Sequence, residues 1–111
     1  MMTHVRATLL VAFAVALAPT LAFGADLAAG QAKVKQVCAA CHGVDGNSTV
    51  ADYPKLGGQY PDYLEKALRD YKSGARKNPI MAGFAGTLSD QDIENVAAYF
   101  ASQPPVLAKK Y

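Results

Sequence analysis

The chain is short of metal-ligating side chains and of long apolar stretches, and each shortage narrows what it can be. It holds two cysteines, two histidines and three methionines in 111 residues. Nine acidic and eleven basic side chains give a formal charge of +2, with no basic stripe of the kind that binds nucleic acid. No alternating apolar pattern marks a strand, and there is no internal repeat or low-complexity tract. A chain of this length supports one compact domain, because two independent cores would each be too small.

The longest apolar run, Ala7 to Ala18, is about a dozen residues, whereas a bilayer-crossing helix needs roughly 20. His4 and Arg6 precede the run, and Pro19 and small residues follow it. That is the layout of a secretory signal peptide rather than of an uncleaved anchor. Ala22 and Gly24 supply the small pair that the peptidase accepts, so cleavage is expected after Gly24 or Ala25, with Ala22 a further option. The expected organisation is a removed leader over 1–24 and one domain over 25–111, exported to the periplasm with no membrane span remaining. Removal takes Met1, Met2, His4 and Arg6 with it. The mature chain then keeps one histidine, His42, one methionine, Met81, and a charge of about plus one from nine acidic and ten basic groups.

Asp26 can cap a helix over about 27–41, with Leu27, Gly30, Val34, Val37 and Cys41 on its inner face and Lys33, Lys35 and Gln36 outside. Turn formers from Gly43 to Gly58 predict a long loop over 43–59, and long loops in small domains are usually functional. A second helix is expected from Pro61 to Gly74, with Leu64, Ala67, Leu68 and Tyr71 along one stripe and charged pairs on the other face. Those pairs, Asp62 with Lys66, Glu65 with Arg69 and Lys66 with Asp70, describe a solvated surface. Residues 75–88, holding Pro79, Met81, Gly83 and Gly86, read as a second irregular segment. Ser89 and Asp92 form a capping box for a last helix through Ile93, Val96, Ala97 and Phe100 that stops at Pro104 and Pro105. The fold class is all-α, three main helices framing two loops.

Cys38-Ala39-Ala40-Cys41-His42 carries the chemistry. Its two sulfurs and one imidazole project from one side of a helical turn, as needed to add two thiols to the vinyl groups of one haem and deliver His42 to the iron. A zinc site wants four N or S ligands and the mature chain offers three here, with His42 crowded against Cys41. A thioredoxin-like dithiol wants a βαβ context that the pattern lacks. One covalently bound haem c is therefore expected.

With a single mature histidine, bis-histidine ligation within the chain is excluded. Met81, a lysine, the terminal amine or no residue could hold the sixth position. Met81 is the best candidate, because it lies between Pro79 and Gly83 rather than on an apolar helical face. A thioether is soft and neutral, favours ferrous iron and closes the iron to small molecules, so the pattern predicts electron transfer rather than catalysis.

These residues resemble the class I c-type cytochromes, nearest the bacterial cytochrome c4 and cytochrome c553 kind. Besides the Cys-Ala-Ala-Cys-His motif, the resemblance rests on Gly43, Asp45-Gly46, Pro54-Lys55-Leu56-Gly57-Gly58-Gln59, Lys72-Ser73-Gly74-Ala75-Arg76, Met81 and Leu88-Ser89-Asp90-Gln91-Asp92. It implies a cytochrome c fold wrapped around the haem, and a monomeric electron carrier between a quinol-oxidising complex or dehydrogenase and a terminal oxidase or reductase. Cytochrome c4 usually has two such domains; one Cys-x-x-Cys-His motif makes this chain look like a single-domain relative. The resemblance further implies that the Pro54 carbonyl accepts the other ring N–H of His42. It also implies that Gly30, with Val34, packs on Val96 and Tyr99.

Leu56, Leu64, Leu68, Ile80, Phe84 and Leu88 are expected to wall the haem. Lys55, Lys72, Arg76 and Lys77 could ring its edge and steer an acidic partner, or be ordinary solvated charges. Gln59 and Tyr60 could meet a propionate or sit on the surface. Two competing functions stand beside the carrier. One is an electron-entry subunit of a larger dehydrogenase, and the other is a haem enzyme or gas sensor with an open iron site.

Overall fold

The computed structural model describes residues 11–18 and 24–105. Of the expected leader, residues 1–10 and 19–23 lie outside the described residues, as does the end of the expected domain, 106–111. Residues 11–18 have no regular structure and are exposed.

Asp26 starts the first helix as its side chain predicts: Oδ1 accepts from the Ala29 amide at 3.0 Å. The helical run comprises α1 (Leu27–Lys33), a π-helical segment (Val34–Cys38) and α2 (Ala39–His42). The sequence led to one continuous helix here; the widened turn in its middle is a finding of the structure. Gly43 ends the run at φ 82°, a left-handed geometry that suits glycine. Leu27, expected on the inner face, is half exposed at the helix start.

Residues 43–60 hold no helix or strand, as expected. Next, α3 (Pro61–Ser73) begins on Pro61 and closes on Gly74 at φ 83°. The segment expected to be irregular contains a short helix, α4 (Pro79–Ala85). Asn78 caps it and Pro79 occupies its first position, so the proline read as part of an irregular segment is instead a start signal. Finally α5 (Asp90–Ser102) opens on the full Ser89–Asp92 capping box. No strand occurs among the described residues, and no helix there is long and apolar enough to cross a membrane.

The core forms where α1 and α3 pack on α5. Val34, Leu64, Val96, Ala97, Tyr99 and Phe100 make one buried cluster, with Cys38, Ala39, Leu56 and Leu68 against it. Gly30 permits the α1–α5 crossing, since a Cβ there would stand 2.1 Å from the Asn95 carbonyl oxygen and 3.0 Å from the Tyr99 Cβ. The expected Gly30–Tyr99 approach is present, and the Asn95 backbone is nearer still. Buried Asn95 adds polar ties, accepting from the Asp26 amide at 2.8 Å and from Gln91 Nε2 at 2.9 Å. The Tyr99 hydroxyl donates to the Val44 carbonyl at 2.8 Å and anchors the long loop to α5.

Surface pairing is only partly as expected. Lys66–Asp70 and Arg69–Glu65 form at 2.6 and 3.0 Å, and Arg69 also lies 3.5 Å from Glu94 of α5. Asp62 instead accepts from the Tyr63 amide.

Candidate functional site

The haem attachment motif lies at the end of the first helical run. The Ala39 amide donates five residues back to the Val34 carbonyl, the bond that defines the π turn. This turn carries Cys38, and α2 then carries Cys41 and His42, all three lining one cavity. The cysteines form no disulfide. Burial pushes the Cys38 thiol up to about 11 against the opposing pull of the Lys33 charge. Disulfide exchange proceeds through the thiolate, which burial at Cys38 disfavours. No group of three or more His, Cys, Asp or Glu suited to a metal ion occurs among the described residues.

His42 is buried, and its Nδ1 lies 2.9 Å from the Pro54 carbonyl oxygen. A carbonyl can only accept, so Nδ1 carries the proton and Nε2 keeps its lone pair for a metal. The loop that presents Pro54 is pinned on both sides. Lys55 Nζ donates to the Ser48 carbonyl at 2.7 Å, Ser48 Oγ exchanges hydrogen bonds with the Val50 backbone, and the Leu56 amide donates to the Gly46 carbonyl at 2.7 Å. Ser48 went unnoticed in the sequence because its role depends on Lys55 and Val50, not on a motif. Tyr53 was missed likewise; its ring centroid is 6.4 Å from that of His42.

Each of the six expected site residues, Cys38, Cys41, His42, Pro54, Leu56 and Met81, lines this same cavity. Met81 comes from α4, a different element from the one carrying His42. Of the expected apolar wall, Leu56, Leu64, Leu68, Ile80 and Phe84 are there, while Leu88 is buried away from it. Val96, Ala97 and Phe100 of α5 complete the wall, positions the sequence reading assigned only to helix packing. Ile80 and Phe84 are 65% and 43% exposed although they line the cavity. Apolar surface turned towards a cavity, an imidazole with a free Nε2, two unpaired thiols and a thioether together fit a haem.

The rim is more engaged than scattered surface charge would be. Arg76 stands 4.8 Å over the Tyr71 ring with Nη1 3.5 Å from the Tyr63 hydroxyl, and Lys72 donates to the Leu88 carbonyl. The Tyr63 contact is the main cause that raises the Arg76 pKa further. Lys55 and Arg76 line the cavity; Lys72 and Lys77 do not. Gln59 lines it too, whereas Tyr60 is exposed elsewhere.

The profile of the cytochrome c family matches residues 27–104. A cytochrome c4 of Pseudomonas aeruginosa is 55% identical over 78 residues, covering 70% of this chain and 38% of that protein. A cytochrome c-553 of Helicobacter pylori is 43% identical over 81 residues, covering 71% and 84%. The cytochrome subunit of sulfide dehydrogenase of Chlorobaculum tepidum is 40% identical over 65 residues, covering 59% and 58%. Among solved structures, reduced recombinant cytochrome c4 from Pseudomonas stutzeri aligns with a TM-score of 0.68 and 50% identity over 73% of this chain and 47% of that one. The chain spans about half or less of the length of the cytochrome c4 proteins it matches. The matched region contains the whole attachment motif, and the cavity shows why the motif is placed where it is. The chain belongs to the cytochrome c family as a class I domain, with one haem c bound covalently through the Cys-x-x-Cys-His motif, Cys38 to His42.

Proposed function

We propose that this chain is a periplasmic carrier of single electrons whose haem iron is ligated by His42 and Met81. The observation that carries the reading is that both side chains line one apolar cavity from separate elements. When bound, haem supplies a one-electron iron couple. His42 offers Nε2 because Nδ1 is committed to Pro54. Met81 would offer a neutral sulfur that favours the reduced state, and with His42 holding the iron as well it would leave no place there for oxygen, peroxide or substrate. Leu56, Leu64, Leu68 and Phe100 exclude water, which penalises the extra charge of the oxidised state and raises the potential further.

Export rests on the leader reading of 1–24, and the domain on 25–111. Suitable partners are a quinol-oxidising complex or dehydrogenase as donor and a terminal oxidase or reductase as acceptor. The ferric protein should show the weak far-red sulfur-to-iron band, and Met81→Ala should abolish it and admit carbon monoxide to the ferrous form. A native protein without the band, or one that already binds carbon monoxide, would favour the open-iron alternative and sink the assignment.

A second reading, a fixed electron-entry subunit of a larger dehydrogenase, is favoured by the likeness to the Chlorobaculum tepidum dehydrogenase subunit. Gel filtration of native extract separates the two: a free carrier elutes at the size of this chain, a subunit with its enzyme.

A further inference from the structure

The Met81 amide is held by one neighbouring side chain, that of Asn78. α4 is seven residues long with Gly83 in its interior, and a helix of two turns does not persist in water on its own propensity. It packs on α3, but Ala85 is its one buried residue, and Ile80 and Phe84 are 65% and 43% exposed. Asn78 precedes proline and is accordingly extended, at ψ 110°. From there its Oδ1 accepts from the amide of Ile80 at 3.1 Å and from the amide of Met81 itself at 3.0 Å. Pro79 has no amide to satisfy, so this one oxygen takes up the second and third donors of the helix. The Asn78 carbonyl then accepts from Ala82 at 2.8 Å, which encloses Met81 between two contacts to the same residue.

We propose that Asn78 is the positioning residue for Met81: its side-chain oxygen fixes the Met81 backbone so that the sulfur stays at the iron. The inference rests on the reading of Met81 as an axial ligand. Its consequence is that removing the acceptor weakens the sulfur–iron bond in the loaded protein without touching the sulfur.

The test is a titration of the ferric holoprotein with imidazole, following the far-red band as the added ligand displaces Met81. Asn78→Ala should reach half-loss of the band at about one tenth of the wild-type imidazole concentration, the fold-change that corresponds to losing one helix cap. Asn78→Ser keeps a capping oxygen and should return to within about threefold of wild type. An alanine variant that titrates like wild type overturns the proposal, as does a serine variant as weak as the alanine one. A variant whose melting temperature falls while its imidazole titration stays put would show a structural cap alone and would also overturn it. Absence of the band in the wild-type protein is a different failure, that of Met81 as ligand, and is read before any variant is made.

Discussion

His42 is 8% exposed and ends a helical run whose Val34 is wholly buried against α5, whereas Met81 sits on a seven-residue helix in which only Ala85 is buried. The His42 side has a backbone acceptor on its imidazole, a pinned loop behind that acceptor and the main core cluster beneath. The Met81 side has a capped turn and apolar side chains left open to the cavity. On the proposed ligation, His42 is thus placed by the main core, and Met81 by a short capped helix with little of its own surface buried.

The largest expected effect comes from removing the haem attachment altogether. Cys38→Ala with Cys41→Ala should lack native-like helical circular dichroism, because a domain this small loses much of its core without the cofactor. Whatever amide protection survives should lie in α1 and α5 and be absent from α4. A native-like spectrum would refute the first expectation, and equal protection across α4 and α5 would break the contrast between the two sides.

Next in size is a change on the well-supported side. A Cβ added at Gly30 would come 2.1 Å from the Asn95 carbonyl oxygen and 2.7 Å from its carbon, and neither is the flexible end of a side chain. Helix α1 must therefore move off α5. Gly30→Ala should cost about 3 kcal/mol, the upper end for overpacking, and lower the melting temperature of the holoprotein by roughly 10–20 °C. A drop under about 3 °C would mean the α1–α5 contact is softer than this crossing implies.

The difference between the sides also explains what the sequence could reveal. Asp26, Ser89 with Asp92, Pro61 and Gly74 act within a few residues of themselves, so helix limits on the α1, α3 and α5 scaffold were legible. The attachment motif was legible for the same reason, its three groups sharing one turn. α4 was not, because seven residues give too little periodicity and Pro79 and Gly83 read as breakers when Asn78 is not recognised as a cap. The π turn at Val34–Cys38 leaves no mark in the apolar spacing. Tyr53, Tyr63, Tyr71 and the α5 face of the cavity were missed because only tertiary packing brings them to it. Leu88 was misplaced for a related reason: apolar character says buried, not which surface does the burying.

The smallest effect separates the two sides by acid. The Ser89 amide, 3.0 Å from Asp92 Oδ2, holds that carboxyl below the usual range, and Lys33 at 3.6 Å assists. The Asn47 amide does the same for Asp45 in the loop that follows His42. A depressed folded-state pKa means the unfolded chain takes up the proton first. The stabilisation is then complete above the unfolded carboxylate value of about 3.9 and is lost as pH falls through the lower folded value. Asp92 ties the start of α5 to Lys33 of α1 and Asp45 orders the loop after His42, while the cap at Met81 is an amide that does not titrate. Asp92→Asn keeps an oxygen able to accept from Ser89 and removes only the charge. It should change stability at pH 7 by about half a kcal/mol or less, since the group is partly screened by solvent. It should also flatten the fall in melting temperature below about pH 4, whereas Asn78→Ser should leave that slope unchanged. Parallel acid profiles for Asp92→Asn and wild type would show that this charge carries none of the difference.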